Sequence, residues 1–98
     1  MKCGFVYIMA NVRPTLYTCI TNNLAKRVYM HINNIGSWFT SQYKLHKLVY
    51  YEVFESIEAA IIREKQIKDM NRKAKLEIIR KFNPDFKDLY NSVVNLSI

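Results

Sequence analysis

The sequence predicts an α+β domain in which a small three-stranded sheet, mixed or antiparallel, is flanked by helices. Half of the 98 residues are hydrophobic and 13% are aromatic, which is enough for a packed core and excludes global disorder. This length fits one domain, so residues 1–98 are assigned to a single unit. Three short runs of β-branched and aromatic residues alternate with segments of helical periodicity, which predicts the order β-β-α-β-α-α-α.

The first two strands are predicted to form a hairpin. Residues 5–9 and 15–21 are rich in the β-branched and aromatic side chains that strands favour. The intervening Asn11, Val12, Arg13 and Pro14 break the pattern. Because this break is short, antiparallel pairing of the two strands is expected.

A helix and a third strand follow the hairpin. Asn22 or Asn23 is predicted to cap the helix, and Gly36 is predicted to end it. By helical spacing, the core stripe of this helix consists of Leu24, Val28, Ile32 and Ile35. Residues 37–46 fit neither pattern, whereas residues 48–54 are almost all apolar and predict a strand buried on both faces.

Three further helices are predicted in the second half of the chain. Ser56 is expected to cap a helix that runs to about Lys68, and the next helix covers residues 73–81. Asn83 followed by Pro84 is a typical helix start, so a last helix is predicted from there. Its apolar face would be formed by Phe86, Leu89, Tyr90 and Val93.

The charge balance indicates a polyanionic partner. Fifteen Lys and Arg against eight Asp and Glu give a net charge of +7, and nucleic acid is the simplest such partner. No apolar run approaches the ~20 residues that span a bilayer, and the N-terminus lacks signal-peptide features, so no membrane partner and a cytoplasmic location are expected. Cys3 and Cys19 are too few for a disulfide framework and lack zinc-ligand spacing, so both are expected to be buried free thiols.

Glu64 is the residue that physical chemistry alone singles out. It falls near the centre of the helix face that is otherwise formed by Ile57, Ala60, Ile61 and Ile67. A carboxylate in such a place must be paired, protonated or bound to a metal. An ion pair with an arginine, such as Arg27, and a divalent cation are therefore the alternatives.

Other polar and aromatic residues allow two interpretations each. Tyr7 and Tyr17 would usually be cross-strand packing partners, and Arg27 and His31 would be an exposed basic pair at the border of one helix face. Trp38, Phe39 and Tyr43 fit core or lid packing better than base stacking.

Basic residues are concentrated in the second half of the chain. Residues 63–81 hold eight of the fifteen basic residues and three acidic ones, so this segment is either a solvated helix surface or a track for phosphate groups. The candidates for nucleic-acid binding are Lys26, Lys65, Lys68, Asn71, Arg72, Lys73 and Lys75.

Four segments together carry a resemblance to a known family. They are Phe5-Val6-Tyr7, then Tyr17-Thr18-Cys19 ten residues further on, Arg27 with His31, and Arg63-Glu64-Lys65-Gln66. This combination resembles the GIY-YIG nuclease domain over about residues 5–90. It is most similar to the small single-domain GIY-YIG proteins of bacteria, which are related to the nuclease domain of the bacterial excision-repair protein C and to phage homing endonucleases.

The resemblance implies metal-dependent, endonuclease-type hydrolysis of phosphodiester bonds in DNA. It makes Tyr17 the general base that activates water, with Tyr7 orienting the water or the phosphate. Arg27 would hold the scissile phosphate and stabilise its charge, and His31 would bind the phosphate or keep Tyr17 reactive. Glu64 would bind a single divalent cation, Mg²⁺ or Mn²⁺.

Departures from the family pattern keep alternatives open. The first tripeptide lacks glycine, and Cys19 stands where the family usually has glycine, so a non-catalytic nucleic-acid-binding module of the same fold is the alternative. A subunit-contact domain that uses Trp38, Tyr50 and Tyr51 is a third interpretation. An enzyme of this length would cut with low sequence specificity, read DNA structure, or take its specificity from a protein partner, and RNA stays open as a substrate.

Overall fold

The computed structural model describes residues 3–36 and 38–94. The strands are β1 (Gly4–Ala10), β2 (Leu16–Thr21) and β3 (Lys47–Phe54). The helices are α1 (Leu24–Ile32), α2 (Trp38–Gln42), α3 (Ile57–Asp69), α4 (Arg72–Phe82) and α5 (Tyr90–Val93). The α+β fold class predicted from the sequence is confirmed.

The sheet is antiparallel throughout, with the strand order β2-β1-β3. Every residue of the central strand β1 is buried, since helices cover both of its faces. The strand that is buried on both faces is therefore β1. The prediction of burial on both faces is wrong for β3, an edge strand in which Leu48, Val49 and Tyr50 are buried while Val53 is 56% exposed.

Alternate residues of β1 feed two separate cores. Phe5, Tyr7 and Met9 pack with residues of α1, of α5 and of the segment before β3, so we call this side of the sheet the α1 face. Val6, Ile8 and Ala10 pack with Ala60 and Ile67 of α3 and with Ile79 of α4, on what we call the α3 face. The period of two along the strand thus sends Tyr7 and Val6 to opposite sides of the sheet.

Gly4 allows α3 to lie close to the start of β1. A Cβ atom at this position would lie 2.8 Å from the Cβ atom of Ala60 and 2.9 Å from the carbonyl oxygen of Ser56. Real Cβ atoms do not approach other atoms so closely, so the contact needs glycine.

The predicted caps at the starts of two helices are found. The side chain of Asn23 accepts a hydrogen bond from the backbone N–H of Lys26, and Ser56 accepts one from that of Ala59. Asn71 caps α4 in the same way. Each cap satisfies a backbone donor that has no partner within its own helix.

The end of α1 differs from the prediction. The helix ends at Ile32, so Ile35 lies beyond it and is 48% exposed instead of part of the core stripe. Asn34 and Gly36 both have positive φ values, 58° and 88°, which turn the chain away from the helix axis. The short helix α2 occupies part of the segment to which the sequence assigned no structure.

The predicted start of a last helix at Asn83 is wrong. Asn83 is the C-cap of α4, and its buried side-chain amide donates hydrogen bonds to the carbonyl oxygens of Val49 and Lys87. The same side chain accepts a hydrogen bond from the backbone N–H of Lys87. Asn83 thereby ties a non-helical segment to β3, and only Tyr90–Val93 is helical after it.

The aromatic residues of β3 pack within the molecule. The rings of Tyr50 and Tyr51 meet the ring of Phe82 edge-on, with centroid distances of 5.2 and 5.1 Å. Tyr50 is buried, so it is not available for the subunit contact considered above. None of the helices within residues 3–36 and 38–94 combines the length and apolar character that a membrane span requires.

Candidate active site

Tyr7 and His31 form a buried pair at the centre of the α1 face. Strand β1 directs Tyr7 towards α1, where His31 shares the inward side with Leu24 and Val28. The phenol oxygen of Tyr7 lies 2.8 Å from Nε2 of His31, and neither side chain has any exposed surface. His31 is therefore a core residue, and its predicted place at the border between core and solvent is wrong.

Thr40 is the second partner of His31. Its Oγ1 atom lies 3.0 Å from Nδ1 of His31, so both ring nitrogens have a partner and α2 is joined to α1. Burial, reinforced by the charge of Arg27, lowers the pKa of His31 to about 4. The ring is thus neutral at pH 7, with one nitrogen donating and the other accepting.

Tyr7 is held in its protonated form. Burial, reinforced by the neighbouring Cys19, raises the pKa of Tyr7 far above its ordinary value, and Arg27 opposes only part of this shift. With the Arg27 guanidinium beside the phenol, we assign the hydrogen bond as donated by Tyr7 to Nε2 of His31. In this tautomer Nδ1–H of His31 donates to Thr40, which gives a continuous hydrogen-bonded chain.

Tyr17 lies next to this chain but closer to solvent. It is half-buried on β2, its ring is stacked on Phe39 with a centroid distance of 5.4 Å, and it meets His31 edge-on at 6.1 Å. Phe39 in turn contacts Tyr43 at 4.7 Å. The structure thus brings Tyr17 and the Tyr7–His31 pair together on one face and leaves Tyr17 with partial access to solvent.

Arg27 lies one helical turn before His31 and is half-buried. Its Nη1 atom is 3.4 Å from where a Cβ atom on Gly36 would stand, and Gly36 has a φ of 88°. A side chain at Gly36 would be strained, would crowd Met30 and would fill the space up to contact with the guanidinium. Gly36 therefore leaves room around Arg27, a role that the sequence did not reveal because glycine there was explained as a helix end.

Cys19 stands beside the same cluster. It is paired with Tyr7 in the β1–β2 register, and its Sγ lies 3.7 Å from the carbonyl oxygen of Ile20. The two cysteines are free thiols, as predicted, but Cys3 and Cys19 are half-buried and not fully buried. A thiol thus occupies the position next to Tyr7 where the resemblance leads one to expect glycine.

Glu64 lies on α3, on the opposite face of the sheet. Its side chain is 15% exposed, and its Oε2 atom forms an ion pair with Nζ of Lys68 at 3.2 Å. Within the described part of the chain no ion pair or hydrogen bond joins Glu64 to Arg27. The partner is thus a lysine one turn away on the same helix, not the arginine suggested by the sequence.

Few of the described side chains could coordinate a divalent cation together. Residues 3–36 and 38–94 contain no group of three or more His, Cys, Asp or Glu side chains that could enclose a metal ion. Glu64 offers one largely buried carboxylate. One carboxylate completed by waters and a substrate phosphate suits Mg²⁺, which keeps much of its hydration shell.

The candidate nucleic-acid-binding residues lie on three helices. Lys26 is on α1, Lys65 and Lys68 are on α3, and the others are at or near the start of α4. All are exposed except Lys75, which is half-buried. Arg72 has a structural contact as well, since its Nη2 donates to the carbonyl oxygen of Pro14 at 2.6 Å.

Comparisons with known proteins agree with this architecture. The family model described as the GIY-YIG catalytic domain matches residues 3–77. A UPF0213 protein of Clostridium perfringens is 43% identical over 76 residues, which is 78% of this chain and 82% of the relative. One from Syntrophus aciditrophicus is 37% identical over 86 residues, covering 87% of this chain and 98% of the relative.

A solved structure has the same fold. The solution structure of a UPF0213 protein from Bacillus halodurans is similar with a TM-score of 0.58 and 23% sequence identity. The match covers 88% of this chain and 92% of that chain. The matched residues of the family model run from before β1 into α4, so they include Tyr7, Tyr17, Arg27, His31 and Glu64.

Proposed function

Because the chain belongs to the GIY-YIG catalytic domain family, we propose that it is a metal-dependent endonuclease that hydrolyses phosphodiester bonds in DNA. One observation carries the proposal: Tyr17, Arg27 and the Tyr7–His31 pair meet on one face of the sheet. Such a group combines a base, a cation for the phosphate and buried residues that hold both in position.

Tyr17 is the general base for the attacking water. Tyr7 is unsuited to this task, because burial keeps its phenol protonated. Tyr17 is half-buried and therefore keeps partial access to solvent, from which the attacking water would come. A free phenol has a pKa of about 10, so deprotonation at neutral pH needs a cation nearby, and the guanidinium of Arg27 is suited to this role.

Arg27 binds the scissile phosphate. The planar guanidinium can donate two parallel hydrogen bonds to a phosphate, and this interaction strengthens as charge develops on the oxygens. The space beside Gly36 supports this role, because no side chain crowds the guanidinium from that direction.

His31 acts through its neighbours and does not touch the phosphate. Both ring nitrogens are already paired, and the ring is buried and neutral. We therefore give His31 a positioning role: it holds the Tyr7 hydroxyl and packs edge-on against the ring of Tyr17. Tyr7 in turn lies beside Arg27 and supports the guanidinium.

Glu64 is the residue that would hold a divalent cation, Mg²⁺ or Mn²⁺. Glu64 lies across the sheet from Tyr17 and Arg27, but α3 also packs against β2, the edge strand that carries Tyr17. An ion held there would stabilise charge on the phosphate and on the leaving oxygen of a substrate that reaches both faces at this edge. The ion pair between Glu64 and Lys68 is partly exposed, so it can open at little cost. Lys68 would then be free to contact the nucleic acid.

A second function is favoured by one specific residue. Cys19, paired with Tyr7 in the register, narrows the space beside the cluster, which would suit a nucleic-acid-binding module without cleavage activity. In either case the net charge of +7 supports binding to the phosphate backbone, with low sequence specificity or with specificity from a protein partner.

The decisive experiment is a cleavage assay on a panel of substrates. Linear, flapped, branched and single-stranded DNA, together with RNA, would be incubated with the protein and Mg²⁺ or Mn²⁺. Metal-dependent nicking that Tyr17→Phe and Arg27→Ala both abolish is expected. Binding without any cleavage across the panel would instead support the non-catalytic module.

A further inference from the structure

Three clefts surround the β1–β2 turn, residues 11–15. The first lies towards the α2–β3 connection, the second towards the start of α4, and the third between the turn, α4 and the segment after it. They are continuous around the turn, because Arg13 lines the first and second and Pro14 lines the second and third. We call them the turn clefts.

The turn clefts are strongly basic. Six Lys and Arg side chains line them: Arg13, Lys44, Lys47, Arg72, Lys75 and Arg80. No aspartate or glutamate is among the described residues that line these three clefts. The cleft at the other end of the sheet differs, since among the described residues that line it Glu58 is present and no lysine or arginine is found.

The turn itself is held in a fixed shape from two sides. The Oδ1 atom of Asn11 accepts hydrogen bonds from the backbone N–H groups of Arg13 at 3.0 Å and Thr15 at 2.7 Å. The side-chain amide of Asn11 donates to the carbonyl oxygen of Tyr43, while Arg72 donates to that of Pro14. A surface ordered in advance loses little entropy when a ligand binds to it.

Two structural links lead from the turn clefts to the candidate active site. Thr15 lines the second cleft and precedes Tyr17 by two residues, which is about 7 Å along a strand. Tyr43 lines the first cleft, is 46% exposed, and is connected to Tyr17 through the ring of Phe39, which contacts both tyrosines. A DNA strand held in the clefts would therefore lie close to the start of β2, two residues from Tyr17.

We propose that the turn clefts bind the phosphate backbone of DNA next to the cleaved position. This binding site depends on the proposed nuclease function in one respect only: the DNA strand that it binds is taken to be the substrate. It adds Arg13, Lys44, Lys47 and Arg80 to the candidate nucleic-acid contacts. The occupant follows from charge complementarity: six cations, with no aspartate or glutamate among the described lining residues, suit a polyanion, and the contact would be independent of base sequence.

The test compares two double variants with the same loss of charge. Arg13→Gln with Arg80→Gln removes exposed cations from all three clefts. Lys81→Gln with Lys87→Gln removes exposed cations that line none of the turn clefts. Binding to a fluorescent DNA duplex is measured without metal, between low and moderate salt, and folding of each variant is checked by thermal melting.

The cleft variant is expected to bind about tenfold more weakly, with the slope of log K against log salt reduced by about 0.9 per lost phosphate contact. The affinity of the control variant for DNA should stay within about twofold of that of the parent protein, because salt screens charges that lie away from the bound DNA. Equal binding by both double variants, or no binding by the parent protein, overturns the proposal.

This measurement separates the proposal from the proposed function. If the parent protein binds through the turn clefts but cleaves nothing in the presence of metal, the nuclease assignment fails and the binding surface stands. If the parent protein cleaves DNA while the cleft variant binds and cleaves as the control does, the binding surface fails and the nuclease assignment stands.

Discussion

The phenol oxygen of Tyr7 lies 2.8 Å from Nε2 of His31, and both side chains are completely buried. This hydrogen bond joins the central strand of the sheet to α1, and the bond from His31 to Thr40 extends it to α2. A buried polar chain of this kind is stable only if each member has its partner. The candidate active site is thus built on a part of the core that tolerates little change.

The stability of the protein is expected to fall as the pH drops from 7 to 5. His31 has a pKa of about 4 in the folded state, below the ordinary value of 6.5, so the unfolded chain takes up a proton first. The loss begins near pH 6.5, is complete near pH 4, and reaches on the order of 2 kcal/mol at pH 5. Thermal melting at a series of pH values measures it.

The matched control for this pH dependence is His31→Gln. It lowers stability at pH 7, but it should remove most of the change between pH 7 and 5, because most carboxylates titrate below this range. A variant whose melting temperature falls with pH as steeply as that of the parent protein would mean that other groups are responsible.

The two tyrosines are expected to respond differently to removal of the hydroxyl. Tyr7→Phe leaves Nε2 of the buried His31 without a partner, which should cost about 1–3 kcal/mol of stability. Tyr17 is half-buried, so Tyr17→Phe should cost less stability than Tyr7→Phe, yet it should abolish cleavage because the base is lost. Melting temperature and initial cleavage rate, measured on both variants, test this contrast. A Tyr17→Phe variant that cleaves at the parental rate would transfer the base role to another group.

The sequence predicted the sheet and most helix starts because these depend on local patterns. The strands follow from their composition, and the predicted caps Asn23 and Ser56 act through side chains only three residues from their partners. By contrast, Asn83 carries the same cap signal but bonds to Val49, 34 residues away. Local patterns hold no information about such a contact.

The burial of His31 could have been predicted from the sequence, but the contact between Arg72 and Pro14 that holds the turn could not. His31 follows Leu24 by seven residues and Val28 by three, so its spacing places it on the inward side of α1. The expectation of an exposed basic pair gave more weight to the residue type than to the spacing. The contact of Arg72 with Pro14 spans 58 residues and depends on how α4 folds back on the hairpin.

Replacing Cys19 by glycine is expected to increase cleavage. The thiol lies opposite Tyr7 and beside the cluster, so its removal widens the space for the substrate phosphate. The same change should cost about 1 kcal/mol of stability, because glycine is unfavourable within a strand. Cys3→Ala removes the other half-buried thiol and should leave the cleavage rate as it was. If Cys19→Gly is no more active than the parent protein, crowding by the thiol does not limit the reaction.

Glu64→Gln should separate the metal-binding role of this residue from any structural role. The carboxylate is paired with Lys68 on the same helix, and the lysine is 53% exposed, so the pair contributes no more than about 0.5 kcal/mol. Glutamine keeps the shape of the side chain and avoids the desolvation cost of a charge, so the melting temperature should stay the same or rise slightly. Metal-dependent cleavage should be lost, whereas metal-free DNA binding should persist because the basic residues remain.

Glu77→Gln, an equal change in charge at an exposed position of α4, should leave cleavage intact. A melting temperature several degrees lower for Glu64→Gln in the absence of metal would instead identify Glu64 as a structural ion-pair partner, because losing a weak, partly exposed pair would not produce so large a change.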